Sequence, residues 1–171
     1  MKIPGEVQIA APASGLERAF ALINSVAMVI STVALLAAAI ILTESVVVRY
    51  FLKQTTDWQD EYSVMLLVAA TFLSASYVQS MRGHIGIEAL EGVLSPRINA
   101  VRRRVVDVVS VIFCAFFTWK SWTLTHEAWT DGQTTSSTIG SPLWIPYGTM
   151  ALGMTLLTLQ ILLQTTRGPK S

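Results

Sequence analysis

The stretch WQDEYSVMLLVAATFLSASYVQSMRGHIGIEALEGVL, residues 58–94, decides the fold. It opens with carboxylates and continues with twenty residues that carry no charge, at positions 62–81. A helix needs about twenty apolar residues to cross the hydrocarbon core of a bilayer. The stretch therefore predicts a membrane-spanning helix at about 61–81.

The residues that follow this helix predict an element of a different kind. Arg82, Gly83 and His84 form a basic hinge, and the apolar residues of 85–94 fall near one helical face. This segment is too short and too charged to cross a bilayer, because glutamates occupy its other face. A helix with one apolar face suits the membrane surface. We therefore predict an interfacial amphipathic helix at about 85–94, between transmembrane helices 2 and 3.

Three further segments predict spanning helices, at about 20–47, 104–124 and 143–163. The first overlaps a run of twenty-five uncharged residues at 19–43, which exceeds the apolar core of about 7–15 residues in a cleavable signal peptide. The second has the weakest pattern, because it reaches spanning length only if Asp107 and Lys120 are included.

The composition also indicates a membrane protein. Hydrophobic residues make up 52% of the 171 residues and charged residues 13%, against about 25% charged in an average soluble domain. The apolar residues are concentrated in long runs, which is typical of α-helical integral membrane proteins. We predict an all-α integral membrane protein that forms a single membrane domain over residues 1–171, with four transmembrane helices.

The basic residues are distributed unevenly and predict the orientation of the chain. Nine of the twelve lysines and arginines lie in the two termini or between helices 2 and 3, and the other three are Arg49, Lys53 and Lys120. Cytoplasmic loops carry an excess of lysine and arginine. Both termini are therefore predicted to be cytoplasmic. The acidic start of helix 2 then faces outward, as does a loop rich in serine and threonine.

No residue pattern in the chain predicts catalysis. His84 and His126 fall on opposite sides of the membrane in this topology, and Cys114 is the single cysteine. The HEAW sequence at His126 lacks the second histidine of a zinc-binding helix. We therefore expect a protein that is not an enzyme and that has no cofactor, no metal site and no nucleic-acid partner.

Two ionisable residues within the predicted helices, Glu44 and Lys120, need an explanation of their own. Such residues inside a membrane span are functional-site hypotheses by default. Both are expected near the outer ends of their helices, where water is close. An interfacial placement is therefore favoured over transport chemistry, although the sequence leaves their role open.

The acidic cluster Asp57, Asp60 and Glu61 has two possible roles. It can stabilise the start of helix 2, where negative charge is favourable, or it can contact another subunit. On helix 2, a stripe of mostly small residues at 63, 70, 74 and 77 can pack within the chain or against a partner helix. The candidate residues for a subunit interface are Trp58, Asp60, Glu61, Arg82, His84, Pro142 and Pro146.

Three sequence segments resemble those of a known transporter family. They are WQDE at 58–61, RGHIGIEAL at 82–90 and STIGSPLWIPYG at 137–148. In their order, spacing and predicted membrane placement, they resemble the small, DctQ-like membrane subunit of tripartite ATP-independent periplasmic (TRAP) transporters. The resemblance covers about residues 20–163.

This resemblance implies a function that the residues alone do not show. Such subunits associate with a large multi-spanning membrane subunit that carries the substrate and sodium sites. A periplasmic substrate-binding protein delivers an organic anion, and the small subunit widens and anchors the scaffold among the membrane lipids of the bacterial inner membrane.

Two other interpretations of the function remain open. A small four-helix exporter of drugs and protons also carries a glutamate in its first helix, but such chains are much shorter. A stand-alone structural membrane protein is the third possibility.

Overall fold

A computed structural model describes residues 15–81 and 96–166 of the chain. These ranges contain four long α-helices, α1 (Gly15–Val47), α2 (Asp57–Met81), α3 (Pro96–Thr130) and α4 (Trp144–Thr166). A π-helical turn, Val48–Leu52, extends α1. Each of the four helices includes a segment long and apolar enough to cross a membrane. The prediction of an all-α fold with four such helices is confirmed for the described residues.

The helices are longer than the apolar runs that predict them. The largest difference is in α3, which runs from Pro96 to Thr130 rather than over about 104–124. Hydropathy detects only the part of a helix that suits lipid, whereas backbone hydrogen bonding continues through charged residues at either end. Proline is well suited to the first helical position, since its missing N–H has no partner there. The predicted interfacial helix at 85–94 lies outside the described residues.

The four helices form an open row in the order α1, α2, α4, α3. α1 packs along α2, α2 along α4, and α4 along α3, whereas no extensive contact joins α1 and α3 within the described ranges. Hydrogen bonds join α2 and α4 near their C-terminal ends, between Gln79 and Gln164. Near their N-terminal ends, Glu61 contacts the loop that precedes α4. These two helices are therefore parallel.

Small residues allow α1 to approach α2 closely. The buried positions of α1 recur at helical spacing and include Ala27, Ser31, Ala34 and Ala38. Small side chains let two helix backbones come together in lipid, where packing replaces the hydrophobic effect as the force between helices. On α2, Ser63 and Ala70 of the predicted stripe are buried within the chain, which favours the intrachain alternative for these two residues.

Hydrogen bonds between uncharged groups join three helices in the half of the row away from the acidic start of α2. Ser76 of α2 donates to Asn24 Oδ1 of α1 at 2.9 Å and lies 3.1 Å from the backbone oxygen of Leu156 in α4. Asn24 Nδ2 in turn donates to Gln160 Oε1 at 2.9 Å. Asn24 and Ser76 are both buried. A polar group in hydrocarbon is costly unless it is hydrogen-bonded, so these bonds fix how the three helices align.

The contact between α3 and α4 combines apolar and polar groups. Cys114 of α3 packs with Met154 and Ile161 of α4 in a small buried cluster. Next to it, the hydroxyls of Thr118 and Thr158 lie 2.9 Å apart.

Candidate subunit interface

Three acidic residues lie at the start of α2, Asp57 and Asp60 in its first turn and Glu61 directly after it. Asp60 Oδ2 accepts a hydrogen bond from Arg49 Nη2 at 2.6 Å, and its other oxygen accepts from Ser45 Oγ at 3.1 Å. Arg49 belongs to the π-helical turn after α1 and also donates to Thr56 Oγ1. The Arg49 and Asp60 side chains are 60% and 51% exposed, so this ion pair lies at the surface and ties the end of α1 to the start of α2.

The other two carboxylates of the cluster hold a loop. Glu61 accepts hydrogen bonds from the hydroxyls of Thr135 and Ser137, the second at 2.6 Å. Asp57 Oδ2 accepts from Thr138 Oγ1 at 3.2 Å. The loop that precedes α4, residues 131–143, is therefore fastened to the first turn of α2 by three hydroxyl donors.

This loop has a defined backbone fold of its own. The amide of Thr135 donates to the Ser141 carbonyl at 2.9 Å, and the amide of Leu143 donates to the Gln133 carbonyl at 3.0 Å. The loop turns at Gly140, which has a φ of +64°, in the left-handed region that glycine adopts without steric cost. The backbone bonds thus present the hydroxyls of the loop toward α2.

An open cleft of about 520 Å³ lies between the loop and α2. Its lining combines acidic and hydroxyl side chains with apolar ones. The lining residues are Asp57, Asp60, Glu61, Val64, Met65, Thr135, Ser136, Ser137, Thr138, Leu143 and Pro146. A cleft of this chemistry suits a side chain with an apolar stem and a cationic end, such as lysine or arginine.

The structure brings together only some of the residues singled out in the sequence. Asp60, Glu61 and Pro146 line the cleft, whereas Trp58 and Pro142 do not. Trp58 is 47% exposed at the start of α2, and Pro142 forms an isolated bridge with Thr134. Arg82 and His84 lie outside the described residues.

Sequence reasoning missed the loop's part in this site. The hydroxyls of Thr135, Ser137 and Thr138 bond to two of its carboxylates, and Arg49 bonds to the third. The run TTSST at 134–138 was the available signal. Five consecutive hydroxyl donors on the same predicted side as an acidic cluster are natural partners for carboxylates.

A comparison with family models matches residues 38–169 to the family described as tripartite ATP-independent periplasmic transporters, DctQ component. The chain belongs to the DctQ family. The match includes all of α2, α3 and α4 and the final part of α1, so it covers the cleft and the loop. Curated proteins and solved structures give no match to the chain.

Membership confirms the resemblance seen in the sequence and makes the chain a component of a transporter. Within residues 15–81 and 96–166, no group of three or more His, Cys, Asp or Glu residues could hold a metal ion. The carboxylates at the start of α2 are instead hydrogen-bonded to Arg49, Ser45 and the hydroxyls of the loop that precedes α4.

The two ionisable residues of the predicted spans lie at different distances from the ends of their helices. Glu44 is exposed near the acidic end of α1 and accepts a hydrogen bond from Gln59 at 3.3 Å. Lys120 lies ten residues before the end of α3 at Thr130. The expectation that Lys120 stands near the outer end of its helix is wrong, because α3 continues for six residues beyond its predicted end.

Proposed function

We propose that this chain is the small permease subunit of a TRAP transporter in the bacterial inner membrane. In this role it scaffolds and anchors the large transport subunit for sodium-driven uptake of an organic anion. A periplasmic substrate-binding protein delivers that anion. The observation that carries the proposal is the open row of helices, which leaves two broad apolar sides exposed in a chain that belongs to the DctQ family.

The contacts between helices support a scaffolding role over a transporting one. The interhelical side-chain bonds of the described spans are mostly made by neutral groups such as Asn24, Ser76 and Gln160. Transporters that carry protons or ions use chains of ionisable residues inside the membrane. Glu44 lies at an exposed helix end, so it does not resemble the central carboxylate that an exporter of drugs and protons requires.

The orientation of the proposed subunit places the acidic cleft outside. Nine of the twelve basic residues lie in the two termini, between α2 and α3, or near the starts of α1 and α3, which supports cytoplasmic termini. The cleft then faces the periplasm, where it can receive basic side chains of the binding protein or of an outer loop of the large subunit. Trp58, Asp60 and Glu61 are the leading interface candidates, with Pro142 and Pro146 positioning the loop. On the cytoplasmic side the candidates are Arg82 and His84.

Co-purification and uptake test this proposal together. An affinity-tagged chain co-expressed with the large membrane subunit should recover that subunit from detergent extracts. Reconstituted vesicles that contain both subunits and the binding protein should accumulate the anion only when a sodium gradient is present. A matched tagged four-helix protein of another family serves as the control for recovery. Failure of the wild-type chain to recover the large subunit would remove the proposed function.

Cysteine labelling tests the orientation independently. In a Cys114→Ala background, a cysteine introduced at Ser137 should react with an impermeant thiol reagent added from the periplasmic side. A cysteine at Ser95 should react only after the membrane is opened. The reverse pattern would place the cleft in the cytoplasm and end its role in binding periplasmic partners.

A further inference from the structure

Lys120 lies near the middle of the part of α3 that is long and apolar enough to cross a membrane. The segment of α3 that suits a membrane is Val105–Thr130, and Lys120 is ten residues from one end and fifteen from the other. At 1.5 Å per residue, these separations are about 15 Å and 22 Å. The ammonium group therefore belongs to a residue far from both ends of its helix.

The contacts of α3 with α4 also place Lys120 near the middle of a candidate span. Thr118 lies next to Thr158 at 2.9 Å, and Trp122 Nε1 donates to Thr155 Oγ1 at 3.1 Å. Lys120 falls between these two contacts along α3. Thr155 and Thr158 lie near the middle of the α4 span, Trp144–Thr165, so Lys120 is near the middle by reference to α4 as well.

No carboxylate of the chain pairs with Lys120 among the residues that the structure describes. Its ammonium lies over the Trp119 ring, 5.3 Å from the centroid. The nearest acidic residue along α3 toward the acidic end is Glu127, seven residues away and so about 10 Å along the axis. Helical side chains tilt toward the N-terminus of their helix, which directs Lys120 away from Glu127.

The ammonium group of Lys120 is also too far from the bilayer surface to reach the headgroups. A four-carbon stem reaches about 6 Å, whereas the nearer end of the span lies about 15 Å away. A hydrocarbon core of about 30 Å centred on this span would end about 11 Å from Lys120 along the axis, which still exceeds the reach of the stem. Charged residues at such a depth are rare, and they pair with one another or with backbone carbonyls.

The exposed surface around Lys120 is aromatic. Phe113, Phe116 and Trp119 are 62%, 55% and 64% exposed in this chain, and we call these three residues with Lys120 the α3 aromatic face. Aromatic residues are enriched at the cores of protein interfaces. A large aromatic surface with one cation at its side is complementary to a helix that brings a carboxylate to the same depth.

We propose that the α3 aromatic face binds a transmembrane helix of the large transport subunit, and that Lys120 pairs there with an aspartate or glutamate of that helix. This inference rests on the proposed function, since it names the contact by which the scaffold holds its partner. The pair neutralises a charge that lipid alone leaves unpaired, and it fixes the depth at which the two subunits meet.

Two substitutions at one position separate charge from packing. Lys120→Met keeps most of the apolar stem and removes the charge, whereas Lys120→Arg keeps the charge. Lys53→Met is the matched control, because it removes the same charge from an exposed position near the acidic end of the row. Affinity for the purified large subunit is measured in nanodiscs of neutral phosphatidylcholine, and each variant chain is also unfolded alone.

Lys120→Met should weaken binding without lowering the stability of the isolated chain. Lys120→Met should weaken binding of the large subunit by about 30-fold or more, because it leaves a buried carboxylate of the partner unpaired. The same variant should leave the isolated chain as stable as the wild type or make it more stable, since a charge has left the hydrocarbon. Lys120→Arg and Lys53→Met should bind within a few-fold of the wild type.

Three outcomes would overturn the inference. The first is that Lys120→Met binds the large subunit as tightly as the wild-type chain does. The proposed function would then still stand, because the wild-type chain binds. The second is that the isolated Lys120→Met chain loses as much stability as the variant loses in binding free energy, which would assign Lys120 to packing on Trp119. The third is a binding defect seen only when anionic phosphatidylglycerol is added, which would assign the charge to lipid. Absence of binding by the wild type instead refutes the proposed function itself.

Discussion

Replacement of Gly153 by alanine should separate α2 from α4. A Cβ atom on Gly153 would lie 2.4 Å from the Phe72 carbonyl oxygen and 2.8 Å from Phe72 Cβ. Real Cβ contacts are essentially never shorter than 3.0 Å. The nearest obstacle is backbone, which cannot rotate away as a side chain does. The two helices must therefore move apart by about 1 Å to regain an ordinary contact.

The cost of that movement follows from what the helices share. Overpacking a well-packed site typically costs about 1–3 kcal/mol. The same displacement would lengthen the 3.1 Å contact between Ser76 Oγ and the Leu156 carbonyl beyond hydrogen-bonding range, and an interhelical bond in a membrane protein contributes about 0.6 kcal/mol, up to about 1.7. Gly153→Ala should therefore lower the free energy of unfolding by about 2–4 kcal/mol.

Gly148 on the same helix provides the control. A Cβ atom there would meet only Thr125 Cγ2, at 3.7 Å, which is an ordinary contact. Gly148→Ala should therefore match the wild type or exceed it slightly, because alanine favours helix over glycine. Both variants are unfolded by SDS in mixed micelles and followed by circular dichroism. A difference between them below about 0.5 kcal/mol would refute the close approach of the two helices at Gly153.

Three further outcomes are expected. Glu61→Gln should speed hydrogen exchange of the amides in loop 131–143, because a neutral amide accepts more weakly from the loop hydroxyls, and unchanged exchange would show that the carboxylate does not hold the loop. Asn24→Leu should destabilise the chain by about 0.6–1.7 kcal/mol for each interhelical bond that it loses, and its effect should be smaller in a Ser76→Ala background, where only the bond to Gln160 remains; additive losses in this double-mutant cycle would deny the bond between Asn24 and Ser76. Arg49→Gln should change the free energy of unfolding by at most about 1 kcal/mol, since its pair with Asp60 is more than half exposed; a larger loss would mean that the pair is shielded by a neighbouring group.

The fold class and the positions of the four helices could be predicted from the sequence, because each depends on a continuous local property. Twenty uncharged residues at 62–81 predict a spanning helix whatever surrounds them. The spatial order of the helices could not be predicted in this way. It depends on single long-range contacts, such as Asn24 with Gln160 and Gly153 with Phe72. Such pairs leave no periodic signal in the sequence.

The candidate site could likewise be predicted only in part from the sequence. The acidic cluster at the start of α2 stands out in the sequence because its members are neighbours there. Its partners Thr135 and Ser137 are more than seventy residues away, and only the fold of the loop brings them to Glu61. The distance of Lys120 from the end of its helix was misjudged for a related reason, since hydropathy placed the end of α3 six residues too early.

The open row has a consequence for mutational tolerance. In a soluble domain, large apolar side chains fill the interior, and truncating them leaves cavities. Here the fully buried side chains are the small ones, such as Ala38, Ser63 and Ala151, while Leu36 and Ile112 point away from the row. A saturation screen for folding of the isolated chain should therefore find alanine, serine and glycine positions intolerant and many leucine, isoleucine and valine positions permissive. The two broad sides can then diverge to fit new partners while the row itself stays intact.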